Sequence, residues 1–114
     1  GRSIDTGGSE VTVASFHVHL PEGCTEVRLE SRAKIAVGAT HVKVRLYGGT
    51  GGATLLATNT HTSTTTDDQS TTATEGGVGD RLWQVTVESS GVGGGEIYGK
   101  EVSLALILDS AIPA

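Results

Sequence analysis

Side chains of alternating polarity recur along this chain with a period of two. In EVTVASFHVHL, residues 10–20, Ala14, Phe16, Val18 and Leu20 fall on one face while Ser15, His17 and His19 fall on the other. An extended strand turns successive side chains to opposite faces, so a segment of this kind buries its apolar row only as one face of a β-sheet. CTEVRLESRAKIAV repeats the pattern, with Val27 and Leu29 set against Glu26, Arg28, Glu30 and Arg32. THVKVRLY repeats it again, with Val42, Val44 and Leu46 against His41, Lys43, Arg45 and Tyr47, and RLWQVTVES aligns Trp83, Val85 and Val87.

What separates these segments is turn chemistry. PEG, GGTGG and SGVGGG interrupt them, and glycine supplies the positive φ that tight turns need. From Thr58 to Gly79 the chain is threonine-rich and nearly free of large apolar residues, which reads as a long exposed loop or as edge strands with polar faces. The final apolar segment, SLALIL, places Leu104, Leu106 and Leu108 in phase with Val102, yet Ala105 and Ile107 on its other face are apolar too. Such a strand is expected to be covered on both sides, within the core or by a partner. The pattern predicts an all-β, two-sheet antiparallel sandwich of jelly-roll or immunoglobulin-like type with about seven or eight strands. Residues 1–9 read as a polar leader or arm and residues 10–114 as one sandwich domain with a threonine-rich loop at 58–79.

Composition narrows the function. The net charge of −5 argues against nucleic acid or an anionic membrane surface as partner, since both select concentrated basic surface. No apolar stretch is long enough for a membrane-spanning helix, and the first ten residues have no signal-like apolar core. Cys24 is the single cysteine, so neither an internal disulfide nor a multi-cysteine zinc site can form.

The candidate chemical motifs are each incomplete. His17 and His19 share one strand face and could hold two positions of a metal site, but a third ligand is wanting; the expectation is a histidine pair facing solvent or a neighbour. Asp67 and Asp68 offer hard oxygens for calcium without the further ligands such a site requires. GGEIYGKE follows the phosphate-loop spacing from Gly94 to Lys100, but Glu101 replaces the hydroxyl residue and a strand follows where a helix is needed. No nucleophile elbow or reactive cysteine is legible, so the chain is expected to be non-catalytic and to carry no cofactor or metal. A glycan site would rest on Tyr47, with His41, Lys43 and Arg45 beside it.

The run VKVRLYGGTGGATLLATNT, followed later by IYGKEVSLALIL, resembles the small β-sandwich proteins that decorate bacteriophage heads or form tail and fibre modules. The resemblance spans residues 10–108 as pattern and carries over no individual functional residue. It implies a virion accessory part, binding shell or tail proteins and often forming a homotrimer, that reinforces an assembly without chemistry. His17, His19, Arg28, Arg45, Tyr47, Ala105 and Ile107 are then the expected contact residues. The alternative is a glycan-binding or adhesion module of a secreted or surface protein. A virion or extracellular location follows from either.

Overall fold

The computed structural model describes residues 2–75, 78–98 and, for their strand alone, 103–108. The described residues form strands and turns without a helix. The strands are β1 (Arg2–Ile4), β2 (Glu10–Leu20), β3 (Cys24–Ile35), β4 (Ala39–Gly48), β5 (Thr54–His61), β6 (Asp67–Thr74), β7 (Gly79–Gly91), β8 (Gly95–Ile97) and β9 (Ser103–Leu108).

Their pairing follows one rule. β1 pairs with β8, β2 with β7, β3 with β6 and β4 with β5, all antiparallel. The chain thus resembles one long hairpin, bent between β4 and β5 and rolled so that alternate rungs fall in opposite sheets. One sheet runs β1-β8-β3-β6 and the other β2-β7-β4-β5. β9 follows β8 along the same edge of β3: Ala33–Ile35 pairs with β8, and the Cys24–Glu30 stretch pairs with β9. The two therefore share a single strand position, and the order is that of a jelly roll rather than an immunoglobulin sandwich.

The alternating rows meet between the sheets. Leu20, Val27, Leu29, Val42, Val44 and Leu46 are fully buried, and Trp83, Val85, Val87 and Ile97 nearly so. Each such side chain contributes about 1.5–3 kcal/mol by leaving water. Phe16 packs edge-on against Trp83, its register partner, with ring centroids 6.1 Å apart. Among the turns, Gly94 is the position where backbone approach is tightest. It has φ of 60°, and a side chain there would collide with the Ile4 carbonyl of β1.

Three features depart from a uniform alternation. Between Thr12 and Ala14 the β2–β7 register shifts, so Val13 is an extra, bulged residue on an edge strand. Burial of the inner row of β2 grows along the strand: Ala14 is exposed, Phe16 and Val18 are half-buried and only Leu20 is fully covered. The segment from Thr58 to Gly79 contains the end of β5 and all of β6, and the nominal leader joins the sheet through β1.

Candidate functional site

β5 and β6 carry polar residues inward, and these find each other across the sandwich. Asp67 accepts from His61 Nδ1 at 2.9 Å, and Ser31 Oγ lies 2.8 Å from His61 Nε2. Burial pushes the Asp67 carboxyl up, but the hydrogen bonds from His61 and Gln69 outweigh it and hold it below the usual carboxylate range. A carboxylate at this distance accepts from an Nδ1–H, and in the neutral tautomer that leaves Nε2 to accept from the Ser31 hydroxyl. That is the polarity of a hydrolytic serine, histidine and aspartate triad. Ser31 is 2% exposed and His61 0%, however, so the serine has no room for a substrate carbonyl. Its place is structural: Asn59 donates to Ser31 Oγ at 3.0 Å and accepts from Thr71 at 2.5 Å, which closes a satisfied network between β3, β5 and β6.

The accessible chemistry lies on the outer face of β2, β7 and β4. Register sets Glu10 beside Glu88, Thr12 beside Thr86 and Ser15 beside Gln84 across β2 and β7, then Lys43 beside Glu88, Arg45 beside Thr86 and Tyr47 beside Gln84 across β7 and β4. Two carboxylates directly opposite one another repel, and Arg45 relieves this from the third strand. Its Nη1 is 3.1 Å from Glu88 Oε1 and 3.7 Å from Glu10 Oε1. His41 Nε2 lies 2.9 Å from Glu88 Oε2. Bonds from His41 and Arg45 hold the Glu88 carboxyl low, and the Thr86 and Tyr47 hydroxyls do the same for Glu10. The bond to Glu10 raises Tyr47 above the ordinary phenol range.

Beside this cluster runs a groove of about 380 Å³ lined by Glu10, Thr12, Tyr47, Gly52, Ala53, Gln84 and Thr86. Its wall, the β4–β5 turn, is fixed to Glu75, just past β6, and to β7. Gly49 N donates to Glu75 Oε2 at 2.8 Å, Leu82 N donates to Gly49 O at 3.0 Å, and Gln84 Nε2 donates to Gly52 O at 3.2 Å. Gly52 has φ of 71° and no space for a side chain against Gln84 and Leu82. Glu75 is itself anchored by Trp83 Nε1 at 3.1 Å and by Arg81.

The residues singled out from sequence are dispersed. Tyr47, Arg45 and His41 reach the groove or its charge cluster, although Tyr47 is half-buried rather than a free platform. His17 and His19 stand exposed on the same sheet, with His19 Nδ1 bonded to Asp80 at 2.8 Å. Asp67 and Asp68 do not converge: Asp67 turns to His61, while Asp68 binds Arg32 at 2.7 and 3.2 Å on the other sheet. Among the described residues no three histidine, cysteine or acidic side chains come together as a metal site. Arg28 lies 2.9 Å from Glu30 without a hydrogen bond at Nε, so that contact is electrostatic only. Ala105 and Ile107 pair in register with Arg28 and Glu26, and their side chains lie outside the described residues, as does the Gly99–Glu101 part of the phosphate-loop spacing. Glu10, Thr12, Gln84, Thr86 and Glu88 were not legible as a site, because only strand register brings them together.

A carboxylate pair suits glycoside hydrolysis when one member is kept protonated. The hydrogen bonds to Glu10 and Glu88 hold both carboxyls low, opposite to the shift that the acid member of such a pair needs. What the arrangement offers is a shallow, open groove whose polar lining groups are hydroxyls, one amide and one carboxylate. No protein-family model matches this chain, and no curated protein and no solved structure matches it either.

Proposed function

We propose that this protein is a non-catalytic binding module that takes a glycan on the outer face of the β2-β7-β4-β5 sheet. The observation that carries this reading is the groove whose wall, Gly49 to Ala53, is tied to Glu75, Leu82 and Gln84. Preformed recesses with a few fixed polar groups bind polyhydroxylated ligands without the entropy cost of ordering a loop. Jelly rolls serve in lectins as well as in viral shells, so the fold admits this use without selecting it. Oligosaccharide titration followed by amide NMR is expected to shift Gly52, Ala53 and Gln84. Thr12→Arg, at an exposed groove position, fills the recess and abolishes those shifts while leaving the spectrum of the sheet intact. Perturbations confined to the β3–β6 face, or no binding at millimolar sugar, would refute the proposal.

A second reading, an accessory part of a virion or other shell, is favoured by one observation. Among the described residues β2 pairs with β7 alone, and beside its other edge Val11 and Val13 are 46% and 49% exposed. An open strand edge with apolar side chains is a pairing surface. Light scattering that finds a closed oligomer, lost on Val11→Lys, supports assembly; a monomer at all concentrations counts against it.

A further inference from the structure

Resting on the glycan reading, the geometry points to a more specific ligand: we infer that the groove accepts uncharged glycans and excludes anionic ones, with Glu10 as the residue that reads sugar hydroxyls. The argument is one of inventory. Of the seven residues lining the groove, Glu10 alone carries a charge, and that charge is negative. Of the basic side chains nearby, two face carboxylates of the cluster, and Lys43, beside Glu88 in register, is not among the lining residues. Arg45 is 15% exposed and spans Glu88 and Glu10, and His41, 19% exposed, faces Glu88. A uronate or sulfate entering the groove meets a carboxylate and, among the described lining residues, no cation.

Glu10 also has acceptor capacity to spare. Its Oε2 takes the Thr86 hydroxyl at 2.5 Å, and the Tyr47 hydroxyl bonds the same carboxylate. At 3.7 Å, Arg45 is too distant from Oε1 to hydrogen-bond it. A carboxylate accepts about four hydrogen bonds and the Thr86 and Tyr47 hydroxyls use two, so Glu10 keeps acceptor capacity for a ligand donor. The side chain is 30% exposed and lines the groove. Neutral sugars present vicinal hydroxyls that donate to a carboxylate, and bonds to an ionised acceptor are the stronger kind. Across the groove Gln84 spends one N–H on Gly52, and its second N–H and carbonyl can meet a hydroxyl that must both donate and accept. Gly52 and Ala53, the smallest lining residues, let a pyranose ring approach closely.

The test compares two probe sets by amide NMR and calorimetry: neutral gluco- and manno-hexasaccharides, and hexasaccharides of galacturonate and mannuronate. A neutral hexasaccharide is expected to bind at Gly52, Ala53 and Gln84, with every uronate at least about tenfold weaker at low salt, a gap that narrows as salt is raised. Glu10→Gln keeps size and removes charge. It is expected to weaken the neutral ligand about tenfold and to erase most of the discrimination. Glu10→Asp keeps the charge but withdraws the oxygen by one methylene, and should weaken the neutral ligand while preserving the exclusion. Uronates binding as well as neutral sugars, or Glu10→Gln binding like the parent while Thr12→Arg abolishes binding, would overturn the inference and leave the glycan site standing. No binding by either set would remove both.

Discussion

Replacing Asn59 with aspartate changes one NH2 group into an oxygen and scarcely alters volume, so Asn59→Asp reads the polarity of the buried network directly. Asn59 is 1% exposed, and its Nδ2 lies 3.1 Å from Leu29 O, 3.0 Å from Ser31 Oγ and 3.2 Å from Gln69 O. Two of these are carbonyls that can only accept, so the amide nitrogen must face them, and Oδ1 must face the Thr71 hydroxyl. In the variant an oxygen confronts two carbonyl oxygens and the Ser31 hydroxyl, the one group of the three with a hydrogen to offer. Two donated bonds are lost at about 1–3 kcal/mol each in a buried setting, so the expected cost is about 4 kcal/mol at pH 7. With a urea m-value of about 1.5 kcal/mol per molar, the midpoint falls by roughly 2.5 M. Trp83, 2% exposed in the core, is the fluorescent reporter.

The pH dependence sharpens the test. A carboxyl buried among acceptors is disfavoured in its charged form, which raises its folded pKa above the unfolded value of about 3.9. The folded variant thus binds a proton more tightly than the unfolded one. Relative to the parent, its penalty is smallest below about pH 4 and grows as pH rises towards the folded pKa. Taking the difference from the parent at each pH cancels the acid sensitivity that both proteins share. A midpoint shift below about 0.5 M at pH 7, or a penalty that fails to shrink on acidification, would refute the hydrogen-bond assignment.

The remaining predictions concern the sheet edge and acid. Gly94→Ala places a methyl group against the Ile4 carbonyl at a positive φ, so it should release β1 from β8, at a cost of at least about 1 kcal/mol, and abolish hydrogen-exchange protection in Arg2–Ile4. Protection retained there would mean that β1 docks without the close approach. Glu10, Asp67 and Glu88 all have lowered carboxyl pKa values, so their stabilisation is present above the unfolded carboxylate range and is lost as pH falls through the folded values. Urea midpoints measured from pH 6 down to pH 2 should therefore decline below about pH 4, and a midpoint flat across that range would contradict those ion pairs and hydrogen bonds.

How far the fold was legible depends on what each segment had to bury. Val42, Val44, Leu46, Trp83, Val85 and Val87 announce an inner row because their neighbours are polar, and all are buried. Asn59 and His61 announce nothing, since a polar residue facing a core looks like one facing water until a partner strand supplies Ser31 and Asp67. The bulge at Val13 is equally silent, yet it decides the site. Thr12 and Glu10 lie outward before it, and Ser15, His17 and His19 lie outward after it, so one inserted residue keeps a single polar face along a strand whose simple alternation would have switched faces. Without that correction, either the half of β2 carrying Glu10 or the half carrying Phe16 would face the wrong way. The same step that lets Phe16 reach Trp83 lets Glu10 reach Thr86, so core packing and groove chemistry on this sheet depend on one irregularity in register.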